Sequence, residues 1–210
     1  MRKKLFFRNI RLLVALSDID FDDGVANPSG IGDVVYMIRK KYITAWPTIS
    51  NDFEKANDLT EYTELTGNFT LATGKKWIRL YTTQGKGKIT FETTGEVDCR
   101  MFTNKASLSY PKITKEARAL AKYAANGDYV FVVKHDGLFY VIGNPDYRAT
   151  VNPSGDSGDA AGSAKGMPLE ITCPDTTPLP VYTGTLTLSD GSLNCSTGVF
   201  TPSGNQQEES

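Results

Sequence analysis

The segment Tyr129-Val-Phe-Val-Val-Lys-His-Asp-Gly-Leu-Phe-Tyr-Val-Ile142 decides the fold class. Two apolar runs of strand length flank the dipeptide Asp136-Gly137, and Asp-Gly supplies the positive backbone φ angles that a tight hairpin turn requires. The near-continuous apolar character of both runs predicts that both of their faces are buried. The segment therefore predicts a β-hairpin at the centre of a sheet.

The remaining sequence also favours strands over helices. The chain of 210 residues contains 23 Thr, ten Tyr and ten Phe, and β-branched and aromatic residues suit the half-buried surface of a sheet. Short spacing between the candidate strands favours antiparallel hairpins over βαβ units. The further predicted strands run from Val34 to Ile38, Glu61 to Leu71, Trp77 to Thr82, Lys88 to Thr93, Glu96 to Phe102, Leu169 to Cys173 and Tyr182 to Leu188.

One helix is predicted, from Lys115 to Ala125. Thr114 can accept a hydrogen bond as the N-cap, and Asn126-Gly127 is a conventional stop. A narrow stripe of mostly small side chains at helical spacing would let this helix lie close to a sheet. The stripe consists of Ala117, Leu120, Ala121 and Ala124. The predicted fold class is therefore mainly β (α+β), an antiparallel β-sandwich or small barrel with one packed α-helix.

A change in character near residue 183 predicts two parts. We expect residues 1–183 to form the β-sandwich domain with an N-terminal arm, and residues 184–210 to form a C-terminal hairpin extension with a disordered tail. The extension contains a polar hairpin around Asp190-Gly191, beyond two prolines, which indicates an appended or projecting element. Within the first part, Asn152 to Gly166 contains four glycines and has too little apolar surface to become ordered unless something packs on it.

The charge of the chain is nearly balanced overall but unevenly distributed. The formal net charge is −1, so the chain lacks the global basic field that drives non-specific nucleic-acid binding. Residues 1–152 carry 22 of the 23 Lys and Arg and 17 of the 24 acids, whereas residues 153–210 carry Lys165 and seven acids. Opposite signs in the two parts would suit copies that stack head to tail, although an acidic solvated tail is the simpler explanation.

The sequence predicts that the protein is neither secreted nor inserted in a membrane. Three widely spaced cysteines are too few for a disulfide framework, and we expect them to be the reduced thiols of a cytoplasmic product. Residues 1–7 imitate the basic region of a signal peptide, but Arg8 and Arg11 interrupt the apolar run that would have to follow. Because no apolar run approaches the length of a membrane span, we predict no transmembrane helix and no membrane partner.

The residue chemistry contains no catalytic or cofactor motif. The single histidine, His135, lies in the predicted hairpin turn, so every His-centred triad or His-rich zinc site would depend on it. The Gly-Lys turns at 73–76 and 84–88 do not match the phosphate-binding loop pattern. The acidic stretch from Asp18 to Asp23 lacks the glycine and glutamate of a Ca²⁺ loop in register. The sequence therefore predicts no enzyme, no cofactor and no metal site.

The most suggestive cluster combines cations with aromatic rings between Glu64 and Glu92, where no acid occurs. Cations beside stacking rings are the ingredients of single-strand nucleic-acid binding. The alternative is a strand that places Trp77, Arg79 and Tyr81 on one side and Ile78 and Leu80 on the core side. We favour this alternative, with a subunit interface as the use of the cluster. The predicted interface residues are Lys75, Lys76, Trp77, Arg79 and Tyr81, and the cluster also includes Lys86 and Lys88.

The order of segments from the helix onward resembles a known family. The segments are Ala117 to Asn126, the hairpin around Asp136-Gly137, Tyr140-Val-Ile-Gly-Asn-Pro-Asp-Tyr-Arg-Ala149, the Gly-rich loop, and Leu169-Glu-Ile-Thr leading to Pro180-Val-Tyr182. This order resembles tail-tube-like (major tail) structural proteins of tailed phages and prophages, particularly those of Bacteroides-type bacteria. The resemblance covers about residues 30–183.

The resemblance implies a β-sandwich subunit that joins its sheets with those of its neighbours in a ring, commonly a hexamer, whose inner wall is a continuous β-barrel. Stacked rings would form a tube, with other tail proteins as partners and DNA passing without specific binding. The protein would be made in the bacterial cytoplasm and reside in the virion tail. Pairing of exposed strands between subunits removes unprotected sheet edges, and cyclic symmetry closes the ring. We expect the basic cluster to face a neighbouring subunit or the outside.

A second hypothesis belongs to a different class of protein. A monomeric or dimeric, non-catalytic β-sandwich could bind carbohydrate or protein, with the Gly-rich loop as its binding edge. The sequence leaves both hypotheses open.

Overall fold

The computed structural model describes residues 28–49, 59–158 and 165–203. The predicted N-terminal arm up to residue 27, the acidic stretch from Asp18 to Asp23, the middle of the Gly-rich loop and the predicted tail from residue 204 onward lie outside the described residues. The strands are β1 (Val34–Arg39), β2 (Ile43–Ala45), β3 (Thr48–Ile49), β4 (Glu64–Thr66), β5 (Thr70–Leu71), β6 (Ile78–Tyr81), β7 (Lys88–Thr94), β8 (Met101–Tyr110), β9 (Tyr129–His135), β10 (Leu138–Ile142), β11 (Thr150–Pro153), β12 (Met167–Asp175), β13 (Val181–Tyr182), β14 (Thr185–Thr187), β15 (Gly191–Asn194) and β16 (Phe200–Pro202). The α-helix is α1 (Lys115–Ala124), and 3₁₀ turns span Lys40–Tyr42 and Leu59–Tyr62.

The β9–β10 hairpin lies inside a seven-stranded sheet, as its apolar sequence predicts. The strand order is β3-β4-β13-β10-β9-β1-β6. Residues 129–133 of β9 are all buried, because the sheet is covered on both faces. Asp136 and Gly137 in the turn adopt φ angles of 47° and 76°, which is the conformation that Asp-Gly favours.

A four-stranded sheet packs on one face of the seven-stranded sheet. Its order is β11-β12-β8-β7, and all its pairings are antiparallel. The two sheets enclose the main core, to which β9 contributes Phe131 and Val133 while β12 contributes Leu169 and Ile171. The predicted fold class, a mainly β sandwich with one helix, is confirmed.

The opposite face of the seven-stranded sheet carries a second core. The three-stranded sheet β14-β15-β16 and the β2–β5 pair cover this face. Leu186, Leu188 and Leu193 of the C-terminal hairpin are buried there in one cluster with Val130 and Val132 of β9. The C-terminal hairpin is therefore appended to the sandwich and packs against it, and does not project from it. The division of the chain at residue 183 stays a prediction.

The helix begins at Lys115 as predicted and ends at Ala124, one residue before the predicted end. The Thr114 hydroxyl accepts a hydrogen bond from the Ala117 backbone N–H at 3.1 Å, which satisfies one of the free donors of the first turn. Ala117 and Ala124 are buried and place the helix on the main core. Among the described residues, no helix is both long and apolar enough to cross a bilayer.

Three strand predictions are wrong where the backbone turns. The segment Glu61 to Leu71 divides into a 3₁₀ turn, β4 and β5, because Gly67 adopts a φ of 95° and the chain changes sheets. The segment Tyr182 to Leu188 divides near Gly184 into β13 and β14, which belong to different sheets. The predicted strand from Glu96 to Phe102 is largely a turn, and its strand begins at Met101.

The sequence patterns also missed most of β8. The buried row of this strand consists of Asn104, Ala106 and Leu108, so it contains a single large apolar side chain. The Asn104 amide donates to the Thr177 carbonyl at 2.9 Å and accepts from the Leu179 N–H at 2.9 Å. Burial of this polar side chain depends on a partner segment more than seventy residues away, which local periodicity does not reveal.

Candidate functional site

The side chains of Trp77 and of the adjoining strand β6 alternate between the two faces of the sheet, as the sequence indicates. The two ends of this predicted interface segment differ in burial. Trp77, just before β6, is 3% exposed and belongs to the second core. Its ring lies edge-on to Phe69 with centroids 5.3 Å apart, and the Trp77 backbone N–H donates to the Thr187 carbonyl at 2.9 Å. Trp77 therefore presents almost no surface to solvent, and its role at a subunit interface stays a prediction.

Arg79 is tied to the C-terminal hairpin. Its guanidinium Nη1 lies 2.6 Å from Asp190 Oδ2, and its Cζ lies 5.0 Å from the centroid of Phe200. The hydrogen bond from Arg79 lowers the pKa of the Asp190 carboxyl. The opposite charges of the two parts of the chain are thus partly paired within one molecule.

The two lysines before β6 also contact neighbouring elements. Lys76 Nζ donates to the Ser189 carbonyl at 3.4 Å, and Lys75 Nζ lies 4.7 Å from the centroid of the Tyr42 ring. Both lysines are exposed, as is Tyr81, at 50%. Their role at a subunit interface stays a prediction.

The cations of the predicted cluster do not form one surface. Arg79 pairs in register with Tyr36, on the face of the seven-stranded sheet that the C-terminal hairpin covers. Lys88 pairs with Ser107, on the face of the four-stranded sheet that points away from the core. Ile78, predicted to face the core, is 53% exposed because β6 is the last strand of its sheet.

An unpaired seven-residue edge strand is the most prominent feature that the sequence reading missed. Strand β7 pairs with β8 along one side, and no strand of the described residues pairs with its other side. Six of its seven side chains are exposed. Phe91 is 55% exposed although it lies in the inward-facing row opposite Asn104. The sequence feature that could have revealed this hairpin is Thr93-Thr-Gly95, because a glycine after β-branched residues is typical of a strand that ends in a turn.

The other edges are shorter or protected. Strand β3 has two residues and β6 has four. Strand β11 ends in Pro153, which has no N–H to offer to a further strand. Strand β7 has neither protection, and unprotected edges of this kind readily pair with another chain.

The outward face of the four-stranded sheet is polar. Lys105 of β8 forms an ion pair with Glu92 of β7 at 2.6 Å, and the Ser107 hydroxyl donates to the Glu170 carboxylate at 2.6 Å. Hydroxyl and amide side chains occupy much of the rest of this face. They include Thr90, Thr103, Ser109, Asn152 and Thr172.

A small cleft lies at one end of the seven-stranded sheet. It encloses about 160 Å³, and its lining includes Trp46, Tyr147, Asn144 and Asp175. The Asp175 side chain is buried and accepts from the Thr177 N–H at 3.1 Å. Burial raises the pKa of its carboxyl. Asn144 fixes the neighbouring loop by accepting from the Tyr147 N–H at 2.7 Å.

The remaining polar groups of the described residues include His135, the single histidine of the sequence. His135 Nδ1 contacts the Gly30 carbonyl, and its ring lies beside Tyr140. Within residues 28–49, 59–158 and 165–203, no three His, Cys, Asp or Glu side chains are grouped to hold a metal ion.

No family model matches the chain, and neither a curated protein nor a solved structure is significantly similar to it.

Proposed function

We propose that the protein is a structural subunit of a phage or prophage tail tube, which self-assembles into stacked rings that form a conduit for DNA. The observation that carries the proposal is the unpaired edge of β7. Within the described residues, this seven-residue edge has no proline and no bulge and pairs with no further strand, and such an edge would expose a stable monomer to uncontrolled association. Pairing with a neighbouring copy in a closed ring removes this exposure.

The polar face of the four-stranded sheet supports the second part of the proposal. In a ring closed through β7, this face, which no element of the described residues covers, is the one available as a channel wall, because the seven-stranded sheet is covered on both sides. Its charges balance, since Lys88 and Lys105 stand against Glu92 and Glu170, and neutral hydroxyl groups surround them. Such a wall would let a polyanion pass without the phosphate contacts that dominate DNA affinity.

The proposed tube has further consequences for partners and location. The ring would be a homo-oligomer, commonly a hexamer, that contacts other tail proteins at its ends. Its place would be the virion tail, after synthesis in the bacterial cytoplasm. Lys75 and Lys76 would lie away from the channel, because they adjoin the covered side of the seven-stranded sheet.

The test combines light scattering after size-exclusion chromatography with negative-stain microscopy over a concentration series. We expect rings or tubes with an open channel. Phe91→Lys should block pairing at β7, because an inward-pointing lysine protects an edge strand, and it should leave the monomer folded because Phe91 is more than half exposed. Leu138→Lys is the matched control, since Leu138 is 47% exposed at the β9–β10 turn. A chain that stays monomeric at every concentration, or a Phe91→Lys variant that assembles normally, would contradict the proposal.

The cleft beside Trp46 favours a second candidate function, a carbohydrate-binding module. Aromatic rings and hydrogen-bonding side chains together are typical of small-molecule sites, and this lining combines Trp46 and Tyr147 with Asn144 and Asp175. The test is the melting temperature of the protein in a panel of neutral mono- and oligosaccharides. A strict monomer with a sugar-dependent shift that Trp46→Ala abolishes would favour the module over the tube subunit.

A further inference from the structure

We propose that copies of this chain stack end to end, with the tip of the β7–β8 hairpin of one copy inserted into an apolar cleft at the opposite end of the next copy. The inference deepens the proposed function, and it rests on that function in taking a second copy as the partner. It assigns a specific knob and a specific hole to the stacking contact.

The knob is the turn at residues 95–100. The conformation of this turn is fixed by a hydrogen bond and by a glycine. The Cys99 N–H donates to the Glu96 carbonyl at 3.1 Å. Gly95 has a φ of 99°, where a Cβ would collide with the Cys99 carbonyl. At its apex Val97 is 72% exposed, the highest value among the exposed large apolar side chains. A fixed turn thus presents an apolar side chain to solvent.

The hole is a cleft of about 370 Å³ between β6, β8, α1 and β12. Its floor is apolar and buried, and consists of Leu108, Ala117, Met167 and Leu169. Its rim is formed by half-buried or exposed side chains, Leu80, Tyr81, Tyr110, Glu116 and Leu120. The cleft therefore offers apolar surface that an inserted side chain would cover.

Knob and hole lie at opposite ends of the same strand. The β7–β8 pairing begins at Thr94 and Met101 beside the turn, whereas Leu108 and Tyr110 near the far end of β8 line the cleft. At a strand rise of roughly 3.4 Å per residue, about 30 Å separates the two ends. A contact between different surfaces on opposite ends repeats from copy to copy and does not stop at a dimer.

Charge complementarity selects a second copy as the occupant. The knob carries Glu96 and Asp98 against the single cation Arg100, a net charge of −1, while the acid further down the hairpin, Glu92, is already paired with Lys105. Residues 112–118, which lead into α1 and form its first turn, adjoin the cleft, since Glu116 and Ala117 line it. This segment carries the exposed cations Lys112, Lys115 and Arg118 against the single acid Glu116. An apolar tip with acidic flanks matches an apolar cleft with a basic approach.

The exposed thiol of Cys99 can serve as a cross-linking probe of this contact. Of the chain's three cysteines, Cys99 in the knob is exposed, whereas Cys173 and Cys195 are buried. A Glu116→Cys substitution places a second exposed thiol at the rim of the hole. Oxidation of the concentrated full-length variant with diamide should join Cys99 to the introduced thiol of the next copy. Non-reducing electrophoresis should then show a ladder that extends beyond dimers.

The matched control is Lys122→Cys, an exposed position of the same helix that faces away from the cleft because six residues correspond to about 240° of helix rotation. This variant should show no ladder. A second pair needs no cysteine: Val97→Asp should abolish stacking, and Val199→Asp, at another exposed valine, should not.

The outcomes separate this inference from the proposed function. Rings or tubes that give no ladder with Glu116→Cys, or that form equally with Val97→Asp, would overturn the knob-and-hole contact and leave the tube subunit intact. A ladder from single-file filaments without rings would support the contact and overturn the ring. A monomer without any ladder would overturn both.

Discussion

Trp77 is the residue at which the interface hypothesis and the structure are most directly opposed. Its side chain is 3% exposed between Phe69 and the C-terminal hairpin. We expect Trp77→Ala to lower the free energy of unfolding by about 3–5 kcal/mol, the range for removal of a large buried aromatic side chain. Urea denaturation of the monomer measures this change. A variant with unchanged monomer stability but impaired assembly would support the hypothesis that Trp77 contacts a neighbouring subunit.

The buried thiols predict a loss of stability at alkaline pH. Burial raises the pKa of both Cys173 and Cys195 from an ordinary value of 9.0 to about 12. Unfolded thiols lose their protons near pH 9, whereas the folded ones keep them to about pH 12. The free energy of unfolding should therefore be unaffected below pH 9 and should fall between pH 9 and 12.

Urea unfolding at the two ends of this window checks the prediction. Burial also raises the pKa of Tyr129 and Tyr182 to about 12, and these side chains act in the same direction. Cys195→Ala should therefore remove part of the pH dependence, because it removes one of the buried thiols. A pH dependence that Cys195→Ala leaves unchanged would show that burial of this thiol is not the cause.

At the level of single elements, substitution of the N-cap residue tests how much the cap stabilises α1. The Thr114 hydroxyl is the acceptor for the Ala117 N–H. We expect Thr114→Ala to cost about 1 kcal/mol and Thr114→Ser to cost much less, because serine is an equally good N-cap. Thermal denaturation followed by circular dichroism measures both. Equal losses for the two variants would mean that the threonine methyl group, rather than the hydroxyl, stabilises this end of the helix.

The C-terminal hairpin provides the second test at this scale. Leu186, Leu188 and Leu193 are buried against the seven-stranded sheet, and Asp190 pairs with Arg79. A chain that ends at residue 183 would expose the apolar surface beneath them, including Trp77. We expect this truncated chain to aggregate or to unfold at a clearly lower temperature than the full chain. A truncated chain with an unchanged melting temperature would establish residues 184–210 as a separate unit.

The elements that the sequence patterns predicted correctly are those whose signals are local. The β9–β10 hairpin has its turn chemistry between two apolar runs, and α1 has its cap, its stripe and its stop within a few residues. Strand β8 was missed because its core row includes Asn104, whose burial depends on Thr177 and Leu179. The burial of Trp77 was missed for the same reason, since Leu188 covers it from more than a hundred residues away.

The candidate sites were less predictable than the fold. An unpaired edge is a property of the sheet order, so the exposed side of β7 could not be recognised before its neighbours were known. The cleft beside α1 likewise combines residues from four elements. Only the hairpin turn at Gly95 had a local signal, and the strand prediction that ran across Glu96 to Phe102 concealed it.

For the whole molecule, the distribution of charge between the two outer surfaces decides how an assembled tube would treat DNA. Lys75 and Lys76 adjoin the covered side of the seven-stranded sheet, whereas Glu170 lies on the bare polar face opposite Ser107. Reversal of both lysines to glutamate should leave DNA retention by assembled tubes unchanged. Glu170→Lys should increase it, because it adds phosphate contacts along the channel.

Filter retention of short duplex DNA on assembled tubes over a salt series measures both effects. The increase for Glu170→Lys should weaken as salt rises, since release of counterions from the phosphates drives such binding. Microscopy of the same samples must show that each variant still assembles. If the double lysine reversal alters retention while the tubes remain intact, the lysines face the channel and the four-stranded sheet does not form its wall.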